Sequence, residues 1–392
     1  MINDRLDILL YGHDGRGLGH VSRTVAIGMA LRRLYPELKI CVLTGCAQTN
    51  ELIGPVSLEW IKLPSYQTEV TGGISKGIDG FCGFSDPALG KARSTMIRET
   101  VRLLRPRVIL VDHAPQGKHR ELLEMFEDCS EDHQPTMVLG IRGVVGAVAQ
   151  TVSPVAQALF KSRFKSLLWY GDRQILGNSH PLELKRAFST DPVECGYVSR
   201  LKELDQQNGP PPAESNKTLK SCLISVPWQG EYTGDYVQNL ARAIAALGSS
   251  QVTFHLFMGE SVDRTLANLF DSIEGCQLYP FSSLYAQCLA ESSSCIIFGG
   301  YNSLTDIIYF NIPSLVIVRE MQDREQQIHL QSLRNHSDLI TVQSEQQCSV
   351  EFLLEALKRL TGPPSPTRKS STRININGAE NSAHHLAGLI DR

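Results

Sequence analysis

The chain has 392 residues, more than the roughly 250–300 at which a single hydrophobic core stops growing, so we expect two domains. A net charge of −3, with 20% charged and 42% hydrophobic residues, is typical of a globular protein and gives no reason to expect nucleic acid as a partner. The N-terminus lacks the pattern of a secretory signal, and no apolar run reaches the about 18–20 residues of a membrane span. The ten cysteines show no metal-binding spacing. These features predict a cytoplasmic protein with reduced thiols.

The first half of the chain alternates short β-branched runs with helical periodicity. Its predicted strands are Asp7–Tyr11, Lys39–Leu43, Leu58–Leu63, Val108–Val111, Met137–Ile141 and the shorter Val193–Cys195. A helix is predicted from Val21 to about Leu34, and the glycine-rich stretch Gly72–Gly90 is predicted to be a loop on the acceptor side. Strands separated by helical segments imply βαβ units and a parallel sheet.

The second half repeats this organisation after a proline-rich polar segment. Its predicted strands are Ser221–Val226, Gln251–Phe257, Cys295–Phe298 and Ser314–Val318, and its clearest helices are Asp235–Leu247 and Val350–Leu360. We therefore predict an α/β protein with two Rossmann-like domains whose parallel sheets face each other across a cleft. The predicted division is an N-terminal acceptor-side domain, a linker, a C-terminal domain and a C-terminal helix that packs back on the first domain, with the bounds 1–204, 205–217, 218–375 and 376–392.

Ligands of open α/β sheets bind beyond the carboxyl ends of the strands, so the loop after the first strand is a candidate site. It contains Gly12, Gly15, Gly17 and Gly19 and ends at His20. The spacing does not fit a dinucleotide fingerprint, and no acidic residue ends the second strand. Gly17 and Gly19 are assigned to the acceptor side. Two interpretations of His20 stay open: a helix-capping histidine, or a general base or acceptor-positioning group.

Two further candidates follow strands of the first half. Asp112 follows Val108–Val111 and would orient His20 and stabilise its charged form if the two side chains meet. Arg142 follows the fifth strand and is either an acceptor contact or a surface residue.

The second half contains a more specific pattern. Gly299–Asp306 (GGYNSLTD) follows the strand Cys295–Phe298, and Asp323–Gln326 follows the next strand. This pattern resembles the donor-binding signature of GT-B glycosyltransferases, which include the lipid II-forming N-acetylglucosaminyltransferase of peptidoglycan synthesis and the UDP-glycosyltransferases. The glycine-rich first loop that ends in Gly19-His20 is similar as well.

The resemblance implies a donor-binding set in the second domain. Gly300, Asn302 and Ser303 would bind a diphosphate, since a helix N-terminus offers N–H groups to anions. Asp306 would accept hydrogen bonds from ribose, and Glu325 and Gln326 would bind sugar hydroxyls. The remaining members of the set are Arg200, which would face the phosphates, and Gly230, in the loop after Ser221–Val226. Each position also has a plain structural interpretation, as a helix cap, a solvated helix start or a surface arginine.

The sequence departs from the resembled pattern at several positions. Phe298 stands where many small-molecule enzymes have a histidine, which removes one phosphate contact. Tyr301 and Asp306 replace tryptophan and glutamate, and Pro227–Glu231 replaces a run of glycines and serine. The identity of the donor is therefore the property most affected.

The implied function is transfer of a sugar, with N-acetylglucosamine or another hexose favoured, from a nucleotide diphosphate sugar to an unidentified small-molecule or lipid-linked acceptor. The resemblance implies an inverting reaction without metal or cofactor, and UDP as the favoured nucleotide. The alternatives are a nucleotide-sugar epimerase on the same fold and a catalytically silent nucleotide-sugar-binding protein. The basic and aromatic segment 159–170 is either a peripheral contact with the inner face of a membrane or a surface helix that leads into a strand with Trp169 and Tyr170 in the core.

Overall fold

The computed structural model describes residues 4–13, 18–71, 74–78, 83–128, 134–144, 151–208, 220–248, 252–259, 261–319, 324–337, 339–363 and 373–390. The chain forms two compact units. Unit 1 comprises Met1–Gly209 together with Ile374–Arg392, and unit 2 comprises Pro210–Arg373. Unit 2 is therefore inserted between the main part of unit 1 and its C-terminal segment.

Unit 1 is built on a parallel sheet. The strands of unit 1 are β1 (Ile8–Tyr11), β2 (Ile40–Thr44), β3 (Glu59–Lys62), β4 (Gln67–Thr71), β5 (Ile74–Ile78), β6 (Val108–Asp112), β7 (Thr136–Arg142), β8 (Phe164–Tyr170) and β9 (Val193–Glu194). Seven of them form the sheet in the order β3-β2-β1-β6-β7-β8-β9, while β4 and β5 form a separate antiparallel hairpin. The winding direction reverses between β1 and β6, so these two neighbours flank the crevice where such sheets bind ligands.

The helices of unit 1 cover this sheet. They are α1 (Gly19–Leu34), α2 (Thr49–Ile53), α3 (Asp86–Leu104), α4 (Leu123–Asp128), α5 (Pro154–Arg163), α6 (Arg173–Leu176), α7 (Ser179–Phe188) and α8 (Arg200–Asn208). Every residue of α1 from Val21 to Leu31 is buried, because this helix packs on the sheet and is itself covered by α2 and α8. The helix that begins at the first loop is thus a fixed element from which its side chains are positioned.

Unit 2 contains a second parallel sheet. Its strands are β10 (Lys220–Val226), β11 (Val252–Met258), β12 (Cys276–Tyr279), β13 (Ser294–Phe298), β14 (Ser314–Val318) and β15 (Ile340–Ser344), in the order β12-β11-β10-β13-β14-β15. Its helices are α9 (Thr233–Leu247), α10 (Arg264–Ala267), α11 (Leu284–Glu291), α12 (Tyr301–Phe310), α13 (Glu325–Arg334) and α14 (Val350–Thr361). The apolar faces of α9 and α14 pack on β10 and β11 to form the core. Here the winding reverses between β10 and β13.

The C-terminal helix α15 (Gly378–Ala387) belongs to unit 1 and packs on α1. The segment before it is hydrogen-bonded to the chain near Tyr197, whose N–H donates to the Asn375 carbonyl (2.7 Å) and whose carbonyl accepts from the Gly378 N–H (2.9 Å). A Cβ atom at Gly378 would overlap the carbonyl oxygen of Gly196. Only glycine therefore fits at the start of α15.

The predicted α/β class with two Rossmann-like domains and parallel sheets is confirmed. The prediction of a loop across Gly72–Gly90 is wrong, because β5 and the first turn of α3 lie within it. Residues 159–170 form the end of α5 and the strand β8, with Trp169 and Tyr170 fully buried. Their aromatic rings are therefore packed in the protein core. No described helix is both long enough and apolar enough to cross a membrane.

Candidate active site

His20 and Asp112 meet at the carboxyl edge of the unit 1 sheet. His20 lies in the first turn of α1, and Asp112 is the last residue of β6, the strand adjacent to β1. The approach of the first loop to α1 requires glycine, since a Cβ at Gly12 would lie 2.7 Å from the Thr24 hydroxyl oxygen. That hydroxyl in turn donates to the carbonyl of His20 (2.9 Å). Gly12, directly after β1, therefore packs closely against the helix that carries the histidine.

The two side chains form a hydrogen-bonded pair that a third residue completes. His20 Nδ1 lies 2.6 Å from Asp112 Oδ2, and Arg23 Nη2 donates to the same oxygen at 2.8 Å. Both Asp112 and Arg23 are only 2% exposed, whereas His20 is 17% exposed. Arg23 was not among the predicted residues, although its position three residues after His20 places it on the same helix face.

The pair with Asp112 fixes the tautomer of His20. A carboxylate oxygen only accepts, and Asp112 Oδ2 lies closer to Nδ1 (2.6 Å) than Arg23 Nη2 does (2.9 Å). We therefore assign the proton to Nδ1 and the lone pair to Nε2. Burial, then the neighbouring His13, Arg23, Arg142 and Lys118, lower the pKa of His20 well below its ordinary value of 6.5. The imidazole is therefore neutral near pH 7 and has the form that a general base requires.

The rings of two further histidines, His13 and His113, lie close to the ring of His20. The ring of His13 lies 3.8 Å from that of His20, and the ring of His113 lies 5.0 Å from it, measured between centroids. His113 has a φ of 82°, a left-handed conformation that non-glycine residues seldom adopt, and its Nε2 lies 3.1 Å from the Thr151 hydroxyl. Its pKa is lowered by burial first and then by His20, Arg142 and His13. The sequence offered a signal for both, because each follows the end of a strand as His20 does.

The remaining unit 1 candidates are placed as follows. Arg142 ends β7 and lies close enough to the histidines for its charge to lower the pKa of both His20 and His113. Gly19 is the first residue of α1, while Gly17 lies outside the described residues. Across the described ranges, no group of three or more histidine, cysteine, aspartate or glutamate side chains is arranged to hold a metal ion.

In unit 2, the predicted phosphate-binding residues lie at the start of α12, next to the strand reversal. Gly300 is the N-cap, and no side-chain hydrogen bond caps the helix. No described atom lies within 4 Å of the position that a Cβ at Gly300 would take, so the approach to this helix end is open. Asn302 and Ser303 are half-buried in the first turn. The N–H groups of a first helical turn lack intrahelical acceptors and attract anions.

Gln326 lies next to this group, and Asp306 is largely buried. Gln326 Oε1 accepts from the backbone N–H of Arg319 (3.3 Å) and would lie 3.6 Å from a Cβ at Gly299. Glu325, the first residue of α13, is 8% exposed. Asp306 is 9% exposed, and its charge contributes to the raised pKa of Cys295, near the start of β13.

Gly230 and Arg200 make contacts that the sequence did not predict. The Gly230 N–H donates to the Thr233 hydroxyl (2.8 Å), and a Cβ at Gly230 would lie 3.3 Å from Nε of Arg319. Arg200 belongs to unit 1, where its Nη1 donates to the carbonyl of Leu52 (3.2 Å). The arginine that the structure places among the unit 2 candidates is Arg319, which the sequence analysis missed.

Unit 2 also contains a cavity of about 620 Å³ beside α13. Its lining residues are Val318, Gln327, Leu330, Gln331, Arg334, Asn335, Val342 and Ser344. None of the predicted donor-binding residues lines it. We therefore assign the candidate donor site to the start of α12, where the open helix end and the polar side chains coincide, and not to this cavity.

Two Rossmann-like units, each with polar side chains at the carboxyl edge of a parallel sheet, define the GT-B architecture, and the chain resembles GT-B glycosyltransferases. More particularly, residues 222–386 match the model of the glycosyltransferase family 28 C-terminal domain. This region includes most of unit 2 and most of α15. No curated protein sequence matches the chain.

The solved structures of similar fold include nucleotide-sugar epimerases and glycosyltransferases. One group includes the UDP-GlcNAc 2-epimerase from Neisseria meningitidis bound to UDP-GlcNAc, with a TM-score of 0.62, 11% identity, and coverage of 99% of this chain and 100% of that chain. The other includes MurG of Acinetobacter baumannii, with a TM-score of 0.51, 12% identity, and coverage of 98% of this chain and 98% of that chain. It also includes the spinosyn rhamnosyltransferase SpnG complexed with thymidine diphosphate, with a TM-score of 0.52, 13% identity, and coverage of 98% of this chain and 96% of that chain. At these identities the likeness shows the fold. Together with the family match, it supports an enzyme that acts on nucleotide sugars.

Proposed function

We propose that this chain transfers a sugar from a nucleotide diphosphate sugar to a hydroxyl or amine acceptor, with inversion at the anomeric carbon. The observation that carries the proposal is the arrangement of His20, Asp112 and Arg23 at the strand reversal of unit 1. A transferase needs a base that removes the acceptor's proton as the acceptor attacks. A neutral histidine with its proton held on Nδ1 and its lone pair on Nε2 meets that need.

Asp112 assists this base in two ways. Its hydrogen bond holds the ring orientation and tautomer, and its negative charge stabilises the imidazolium that forms when Nε2 takes up the proton. Arg23 bonds both carboxylate oxygens, Oδ1 at 3.4 Å and Oδ2 at 2.8 Å, and so fixes the carboxylate itself. Burial, and then the neighbouring His13, Arg23, Arg142 and Lys118, lower the pKa of His20 and so favour its deprotonated form before the acceptor binds.

The donor is assigned to unit 2. The uncapped start of α12 would bind the diphosphate and stabilise the charge that grows on it as it leaves. Glu325 and Gln326, at the start of α13, would bind the sugar, and Asp306 the ribose. UDP is the favoured nucleotide because the similar epimerase was solved with UDP-GlcNAc, while SpnG with thymidine diphosphate shows that another pyrimidine nucleotide occurs on the fold.

A second candidate function is epimerisation of a nucleotide sugar. It is favoured by the TM-score of 0.62 with the UDP-GlcNAc 2-epimerase, against 0.51 with MurG. An epimerase moves protons on the sugar ring itself and needs no acceptor, so the two functions differ in an observable way.

The test is to incubate the protein with UDP-GlcNAc, other UDP-hexoses and dTDP-hexoses, alone and with small-molecule and lipid extracts as acceptor sources. UDP or dTDP that is released only with an acceptor fraction supports transfer, whereas a new sugar epimer in the ¹H NMR spectrum without acceptor supports epimerisation. His20→Asn should lower the activity by about 10²- to 10⁴-fold. His384→Asn should leave it unchanged, because His384 is an exposed histidine of the same unit that bonds Tyr35. Donor binding without any product would support the silent binding protein and refute both enzymatic functions.

A further inference from the structure

Arg319 directly follows β14 and is 5% exposed, yet part of its guanidinium has no hydrogen-bond partner among the described residues. Nε donates to Glu345 Oε2 (2.9 Å), and Nη2 donates to Glu345 Oε1 (3.1 Å) and to the Thr233 hydroxyl (2.9 Å). Nη1 is buried and finds no hydrogen-bond acceptor among the described residues. One edge of the guanidinium is thus anchored, and the other carries N–H groups without an acceptor.

The guanidinium lies between two aromatic rings at the predicted donor site. Its Cζ atom is 3.7 Å from the ring centroid of Trp228 and 4.2 Å from that of Phe298. Phe298 ends β13 and precedes the glycines that lead into α12. Trp228 belongs to the loop after β10, and its carbonyl accepts from Nη2 of Arg319 (2.7 Å). Arg319 therefore lies across the strand reversal of unit 2, among the ends of β10, β13 and β14.

A guanidinium in this position is costly unless a ligand completes its hydrogen bonds. A buried donor without an acceptor loses its hydration with no compensation, and native structures keep such groups where they have a role. Burial lowers the pKa of Arg319, while the bonds and charge of Glu345 oppose that effect. The cover over the cation is at the surface, since Trp228 is half-buried and its neighbours Pro227 and Gln229 are exposed. Of the two rings beside the guanidinium, Trp228 is therefore the more exposed one.

We propose that Arg319 binds the diphosphate of the donor through Nη1, and that Trp228 is a cover which the diphosphate displaces. The proposal rests on the proposed function and names a residue that the sequence pattern did not contain. It also accounts for Phe298: a phenylalanine at this position cannot bond a phosphate, but it provides an apolar face on which the guanidinium is held. The anchoring bonds to Glu345 leave the Nη1 edge for a phosphate oxygen.

The experiment compares UDP with uridine by isothermal titration calorimetry for the parent, Arg319→Met and the exposed control Arg242→Met. Uridine lacks the phosphates, so loss of a phosphate contact weakens UDP only. We expect Arg319→Met to weaken UDP about 10- to 100-fold and uridine less than twofold, with Arg242→Met like the parent. Equal weakening of both ligands would make Arg319 a structural support only, and unchanged UDP binding would also overturn the proposal.

Fluorescence gives a second measurement that keeps Arg319 in place, in case Arg319→Met does not fold. Trp228 is the one tryptophan of unit 2, since Trp60 and Trp169 belong to unit 1. We expect UDP, but not uridine, to change the emission of the parent, and Trp228→Phe to lose that change while it still binds UDP. An identical response to both ligands would contradict displacement of the cover. If the parent binds neither UDP nor thymidine diphosphate, the proposed function fails as well, an outcome distinct from failure of Arg319 alone.

Discussion

His20→Asn tests the proposed base with little change to its surroundings. The amide nitrogen of asparagine takes nearly the position of Nδ1 and keeps the hydrogen bond to Asp112, while the basic Nε2 is removed. Asp112 also keeps its two bonds from Arg23, so no buried charge loses its partner. The variant therefore separates the chemistry of the ring from its structural contacts.

The expected effects on rate and stability differ widely. Loss of a general base lowers turnover by about 10²- to 10⁴-fold, which corresponds to about 2.7–5.5 kcal/mol of transition-state stabilisation. The loss of unfolding free energy should be within about 1 kcal/mol, because the hydrogen bond to Asp112 is retained and His20 is already partly exposed. The rate effect thus exceeds any effect of partial unfolding.

Nucleotide release with the active acceptor fraction is measured from pH 5 to 9, beside thermal melting of each variant. Because the pKa of His20 lies well below 6.5 and the neutral form is the base, kcat/KM of the parent should be level above pH 6.5 and fall only as the pH approaches that depressed pKa. The residual rate of His20→Asn should lack this acidic limb. A variant that keeps half of the parent rate, or retains the limb, would refute the assignment of His20 as base.

Three further outcomes are expected. Arg142→Met removes a cation that lowers the pKa of His20, so the acidic limb of kcat/KM should move to higher pH; an unchanged profile would place Arg142 away from the base. The folded-state pKa values of His20 and His113 are depressed, so the contribution of the two histidines to stability is complete above pH 6.5 and is lost as the pH falls towards those values. The melting temperature of the parent should therefore decrease as the pH is lowered below 6.5. The decrease should be smaller in His113→Asn, which has one such histidine fewer. Gly378→Val should destabilise unit 1 by more than about 3 kcal/mol in urea unfolding, because the new Cβ would overlap backbone atoms of Gly196 and Tyr197. The control Gly388→Val should lower the free energy of unfolding by about 1 kcal/mol or less. Equal losses in the two variants would contradict the close packing at Gly378.

The predicted strands include every interior strand of the unit 2 sheet, whereas the two edge strands of that sheet were not predicted. In unit 1 the edge strands β3 and β9 were predicted. β1 and β13 are fully buried apolar runs, ILLY and SCIIF, because helices cover both faces of a parallel sheet. β12 and β15 at the edges, CQLY and ITVQS, are partly exposed and carry polar residues that hide the pattern. The strand β8 was one of two interpretations of residues 159–170, because the basic residues of this segment also fit a membrane contact. Its register is set by its pairing with β7.

The residues of the candidate sites likewise include some that the sequence could identify and some that it could not. His20 and Asp112 follow predicted strands, so the rule that ligands bind at carboxyl ends was enough to select them. Arg319 also follows a predicted strand, but its significance depends on Trp228 and Phe298, which lie far away in the sequence and meet it only in the folded sheet. The sequence pattern that resembles known donor sites gives no indication that Arg319 contacts these two rings.

The insertion of unit 2 within unit 1 has a consequence for synthesis on the ribosome. α1, which carries His20 and Arg23, packs against α15, whose residues follow all of unit 2 in the chain. Unit 2 is contiguous and can fold as soon as it emerges, whereas the N-terminal part of unit 1 waits with one face of its first helix uncovered. We therefore expect unit 2 to reach its folded form before unit 1 does, although unit 1 begins earlier in the chain.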